Sequence, residues 1–304
     1  MRASWARSFS RAAISVFSAS VLSSAAPAAN NPRAAVPDFS GIWAHFTWPD
    51  VESPATGPGP IRNLSQRDGA SDPYQLVGDY RSPILKPQAA EIVKQHGNVS
   101  LLGRTYGAPS NQCWPGGVPF VFIANIGMQM FQEPDKITIV YTNDHEVRHV
   151  RLNAPHPAQV NPSWYGDSVG HYEGETLVID TVGIKIGPFA MVDLYGTPHT
   201  PSLHVVERYR LLDYEAAKQA EERGQRGLSR LGRDPGLAAN PDYRGKGLQL
   251  EFMVEDENVF TKPWSASISY RRPLGEWPEM ACADSTRDYV GRAIDLPHAD
   301  KPDF

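Results

Sequence analysis

Side chains able to move protons crowd one stretch of this 304-residue chain. Six of its nine histidines, His145, His149, His156, His171, His199 and His204, lie within about 60 residues of one another. Histidine titrates near neutral pH and is a common metal ligand. Among them runs Gly166-Asp167-Ser168-Val169-Gly170-His171-Tyr172-Glu173-Gly174-Glu175-Thr176-Leu177-Val178-Ile179-Asp180-Thr181. A two-residue turn at Glu173-Gly174 makes this a hairpin in which Asp167 faces Asp180 and His171 faces Thr176, so that His171, Val178, Asp167 and Asp180 share one face. Two opposed carboxylates repel, and holding both requires a cation, an arginine, a bridging metal or a shared proton. Such a face suits proton transfer, with His171 as general acid or base, an aspartate orienting it, and Arg151 or Arg208 stabilising developing negative charge. The plainer reading is that Arg148, Arg151 or Arg208 neutralises the pair structurally.

His204 and Glu207 are second candidates. On the strand read over 203 to 212, Leu203, Val205, Glu207, Tyr209 and Leu211 form one face, and His204, Val206, Arg208, Arg210 and Leu212 the other. An acid among apolar neighbours at Glu207 is either the partner of a buried arginine or a base with a raised pKa. Arg151, Arg208, His149, Tyr172 and Trp164 complete the set as substrate-binding candidates. His145 and His149 have the interval of a helical zinc pair but lie across an expected hairpin, so no metal site is assigned. Gly166-Asp167-Ser168-Val169-Gly170 satisfies G-x-S-x-G, yet the nucleophile elbow needs a strand before it and a helix after it, and a β-like run follows here. A serine esterase using Ser168 is thus the weakest of the enzymatic readings.

The elements that must position these residues are mainly strands. Ile137, Ile139 and Tyr141 alternate with Thr138, Val140 and Thr142, and Leu248, Leu250, Phe252 and Val254 alternate with Gln249, Glu251, Met253 and Glu255. Further runs fall near 128 to 133, 146 to 152, 166 to 172, 176 to 183, 203 to 212 and 265 to 272. About eight strands in sequence predict an all-β, mainly antiparallel protein, a lipocalin-like up-and-down barrel or related sandwich with short peripheral helices. Barrels of that size leave room for one small ligand. Pro87 to Gln95 reads as a helix with proline at its first position. Residues 49 to 83 read as a surface loop, and 214 to 247 as a helical and then irregular insertion. One β-rich domain is expected over 37 to 296, with a tail over 297 to 304.

A composition of 41% hydrophobic and 10% aromatic residues supports a buried core and excludes disorder. Twenty-seven Pro and 25 Gly favour the turns of a β protein. A net charge of -5 with no basic run gives nucleic acid or an anionic membrane nothing to bind. Residues 1 to 28 carry Arg2, Arg7 and Arg11, an apolar stretch from Ala12 to Leu22, and Ala26-Pro27-Ala28, the pattern of a cleaved Sec-type signal. That stretch is far below the roughly 20 residues that span a bilayer, so a periplasmic or secreted product without a membrane anchor is expected. In an oxidising compartment the two cysteines, Cys113 and Cys282, read as one disulfide. It would close a loop of about 170 residues and contribute up to roughly 5 kcal/mol.

The run over 166–181 resembles the signature G-H-S-x-G-x-W-E-G-D-T-L-V-V-D-T of a widespread family of exported, largely uncharacterised bacterial proteins. Asp38-Phe39-Ser40-Gly41-Ile42-Trp43, Arg148 to Leu152 with His156-Pro157, Pro198-His199, Leu203 to Arg208, and Phe260-Thr261-Lys262-Pro263-Trp264 match as well. The family is β-rich, and its opening G-x-W is similar to lipocalin-like barrels. Asp167 stands where the family usually has histidine, so a role of that histidine does not carry over. The resemblance brings no activity. The expectation is a protein handling a partly apolar, aromatic or terpenoid-like molecule within a barrel, without a cofactor, by lyase, isomerase or hydratase chemistry. A non-catalytic periplasmic carrier is the alternative.

Overall fold

The computed structural model describes residues 36–45, 51–104, 107–109, 113–124, 127–142, 144, 146–187, 189–226, 240, 242–273 and 275. The expected signal segment over 1–28, the expected tail over 297–304, His145 and Cys282 lie outside the described residues. Cys113 carries no free thiol.

Alternation of apolar and polar residues builds the wall. In β5 (Lys136–Tyr141) the buried residues are Ile137, Ile139 and Tyr141, and in β10 (Gly247–Glu255) Leu248, Leu250, Phe252 and Val254 turn inward. With β1 (Gly41–Ala44), β4 (Gly127–Gln132), β6 (Val147–Leu152), β7 (Asp167–Glu173), β8 (Thr176–Val182), β9 (His204–Leu212) and β11 (Trp264–Tyr270) they form one nine-stranded sheet, ordered β1-β4-β5-β6-β7-β8-β9-β10-β11. Beyond the end of β11, Ala44 and Arg271 exchange backbone hydrogen bonds of 2.8 and 2.7 Å, which brings the two edges together into a nearly closed barrel. The all-β barrel expected from the alternation is the observed fold.

The structure departs from a pure antiparallel meander at one place. β6 and β7 run parallel, joined by a crossover over 153–166, and pair only through Val150, Arg151 and Leu152 with Ser168, Val169 and Gly170. Parallel strands cannot be joined by a tight hairpin and need such a crossover. The hairpin that follows turns at Gly174-Glu175 rather than Glu173-Gly174. Gly174 has φ 61°, the positive value that a type II′ turn requires at its first central residue. Asp167 therefore faces Val182, and Val169 faces Asp180. A slide of two residues preserves the faces, so Asp167, His171 and Asp180 still lie on one side, the outer one.

Residues 51–83 are also more ordered than a surface loop. Glu52 pairs with Ser267 of β11, and β2 (Gln66–Arg67) pairs with β3 (Ala70–Ser71). The buried Asn63 side chain ties Asp72 and Val77 together. Helix α1 (Pro87–Leu101) runs past Gln95 because His96 and Gly97 are buried on its inner side along with Ala89 and Val93. Helix α3 (Tyr214–Arg226) buries Ala217 and Ala220.

The interior is packed with side chains. Trp43, Met128, Met130, Ile137, Ile139, Tyr209, Phe252 and Trp264 are each at most 2% exposed. The short, wholly buried α2 (Phe120–Ala124) adds Phe122, which meets the Phe252 ring edge-on at 5.3 Å. At the first strand, Gly41 has φ 103°, and a Cβ there would meet the Arg272 guanidinium at 2.4 Å. Glycine is thus needed in the G-x-W motif, whose Trp43 lies under that same guanidinium at 3.6 Å.

One charged pair sits within this core. Arg148 of β6 reaches across to Glu207 of β9 through two hydrogen bonds of 2.9 and 2.5 Å, with exposures of 1% and 0%. Its remaining N–H groups go to Ser168 at 3.2 Å, Thr181 at 2.9 Å and the Tyr141 hydroxyl at 3.3 Å. Tyr209 also donates to Glu207 at 2.9 Å. Burial alone would push the guanidinium's pKa down, but the Glu207 charge holds it well above the usual value. Removing one partner leaves an uncompensated buried charge, whereas an apolar pair of similar volume avoids that penalty. Glu207→Leu should cost about 3–5 kcal/mol in urea unfolding, and Arg148→Met with Glu207→Leu should recover most of it. Equal losses in the single and double variants would contradict this.

Candidate functional site

Outward-facing residues of β6 to β10, with one histidine from the crossover, form a chain of hydrogen-bonded side chains. Arg151 grips Asp167 with two hydrogen bonds of 2.7 and 2.9 Å. Asp167 Oδ1 lies 2.6 Å from His156 Nδ1, and His156 Nε2 lies 2.9 Å from Asp180 Oδ1. Asp180 Oδ2 in turn meets His204 Nε2 at 3.0 Å, and Glu255 stands 3.7 Å from the other His204 nitrogen. His156, on the crossover, bridges the two aspartates, and Arg151 pairs with Asp167 from its other side.

These bonds set the charge states. The Arg151 hydrogen bond, with smaller help from His156, holds the Asp167 carboxyl below the ordinary carboxylate value. The His204 hydrogen bond does most to lower Asp180, with His156 adding to it. Asp180 in return raises the His204 imidazole.

The remaining candidates fall elsewhere. His171 is exposed and bonds Glu173 at 3.1 Å, and Glu173 also accepts from Arg208 at 2.5 Å. No hydrogen bond joins His171 to Asp167 or Asp180, so the proposed His171-centred constellation shares a face without assembling. Glu207 is on the opposite, inner face as the partner of Arg148, which is the structural alternative the sequence left open. Tyr172 is half-buried, stacks on Phe39 at 6.5 Å, and keeps a buried hydroxyl without a hydrogen-bond partner. Ser168 lies within β7, bonded to Arg148 and Thr181, with β8 following instead of a helix. That removes the nucleophile elbow.

A pocket of about 350 Å³ opens on the outer wall where β6 and β7 part. His149, Arg151, Trp164, Asp167 and Lys185 line it, and the buried Arg148 and Ser168 form its floor. The parallel pairing ends at Ser168, and residues 162–166 swing away to bridge Ile184 through Ser163. Trp164 is braced by Trp114 at 6.2 Å, and the Lys185 ammonium lies 4.7 Å from its ring centroid. The gathered candidates thus meet at a seam in the wall rather than in the packed lumen. Arg208 borders a different pocket, of about 650 Å³, with Val206 and Met253.

His156 and Lys185 are the members of this region that strand periodicity misses. Both lie in connections, where no repeat fixes direction; only the His156-Pro157 motif pointed to the first. Among the described residues, no three His, Cys, Asp or Glu side chains group as a metal ion would need, and no helix is long and apolar enough to cross a membrane. No family model, curated protein or solved structure matches this chain.

The His204–Asp180 bond carries a signed pH dependence. His204 is raised above 6.5, so its contribution is full below that value and is lost as pH rises through the raised pKa. Asp180 is lowered below 3.8, so its contribution is present above that value and is lost as pH falls through the lowered pKa. Thermal melts from about pH 6 to about pH 8.5 should therefore converge: the wild type loses its advantage over His204→Gln as pH rises. A constant gap would contradict this.

Proposed function

We propose that this chain is an exported ligand-binding barrel of the family its motifs resemble, taking a small, partly apolar aromatic molecule at the β6–β7 seam. The observation that carries the reading is convergence. His149, Arg151, Trp164 and Asp167, selected separately by residue type and position, line one pocket of about 350 Å³. That volume falls in the range of small-molecule sites, and Trp164 gives an otherwise largely polar lining an aromatic face. The segment over 1–28 supports export, and a Cys113–Cys282 bridge belongs to the same proposal.

Binding without turnover is favoured because the acid–base candidates are engaged. Asp167 is held by Arg151 and His156, Asp180 by two histidines, and Glu207 by Arg148. A proton-transfer reaction at the seam is the second reading, favoured by Asp167 lining the pocket while bonded to His156.

Calorimetric titration of the full chain with a panel of small aromatic compounds tests the proposal. Trp164→Ala should abolish saturable binding in a protein whose melting curve still shows a folded barrel; binding that survives this change would refute the seam as the site. Consumption of a bound compound that is lost in Asp167→Asn would favour the second reading.

A further inference from the structure

We infer that the seam pocket selects an aromatic zwitterion of the α-amino acid class, an inference that rests on the seam being the ligand site. Charge accounting around the pocket carries it. Arg148 is compensated by Glu207, and Arg151 and Asp167 compensate each other at 2.7 Å. Two charged residues lining the same pocket remain, Lys185 and Glu146. Among the described residues, neither has a partner of opposite charge.

The two stand on opposite banks. Glu146 immediately precedes β6, on one side of the seam. Lys185 follows the Ser163–Ile184 bridge on the other, its backbone N–H donating to the Ser163 carbonyl at 2.8 Å. Trp164 also lines the pocket, with the Lys185 ammonium over its ring at 4.7 Å. A ligand carrying only an anion gains Lys185 but brings its charge towards Glu146. A ligand carrying only a cation meets the reverse. A ligand with a carboxylate, an ammonium and an aromatic ring satisfies Lys185, Glu146 and Trp164 together, and a small, partly polar pocket excludes long apolar chains. Both charged residues are exposed, so each contact contributes modestly, up to about fivefold in affinity, and weakens with salt.

Three probes with the same ring separate the cases: phenylalanine, phenylacetate and phenethylamine, titrated calorimetrically into the full chain at low ionic strength. Phenylalanine should bind more tightly than either singly charged probe, by up to about fivefold. Lys185→Gln should reduce phenylalanine to the level of phenethylamine, and Glu146→Gln should reduce it to that of phenylacetate. Both substitutions replace exposed side chains, and melting curves check that the fold is kept. Phenylacetate or phenethylamine binding as tightly as phenylalanine, or phenylalanine indifferent to both substitutions, overturns the inference. If none of the three binds while another aromatic compound saturates the protein through Trp164, the zwitterion inference fails and the seam reading stands. If no aromatic compound binds, both fail.

Discussion

The buried ion pair between Arg148 and Glu207 is the constraint around which the barrel is arranged. Two full charges in an apolar interior are tolerable only when every lone pair and N–H is satisfied. Here Ser168, Thr181, Tyr141 and Tyr209 complete the set, drawing β5, β6, β7, β8 and β9 to one point. A slip of one residue in β9 would turn Glu207 outward and leave the guanidinium stranded. The pair therefore fixes register beside the short parallel contact between β6 and β7.

Strand alternation then links this interior network to the outer one. Arg148 and Ser168 point in while Arg151 and Asp167 point out, and Glu207 points in while His204 points out. The seam pocket stands between the two systems, with the core ion pair beneath it and the Arg151–Asp167–His156 bonds along its rim. Its shape is held from both sides, because the crossover that forms one bank is pinned to the wall by His156.

Period-two patterns made the wall legible from the sequence. The inward faces of β5, β9 and β10 were all readable, as was the shared face of Asp167, His171 and Asp180, together with its demand for a cation. The turn register was not, since Gly174 can occupy either central position of a two-residue loop and only the folded φ decides. Parallel pairing of β6 with β7 also left no mark in the residues of either strand, although a connection over 153–166 is longer than a hairpin needs. The partners supplied by connections, His156 across two aspartates and Lys185 beside Trp164, depend on how those segments drape over the finished wall. No local pattern encodes that.

Closure through Ala44 and Arg271 has a kinetic side. The strands from β7 to β11 pair with their neighbours in sequence, but closure onto β1 must wait for a residue near the far end of the chain. Contacts of such long range raise mean sequence separation and slow folding. Until they form, β1 and β11 each present an open hydrogen-bonding edge, the kind of surface through which chains pair with the wrong partner. The pairing of Glu52 with Ser267 extends this last closure and helps shield β11 once it is complete. Assembly order, and not only final stability, is therefore written into the way the sheet meets itself.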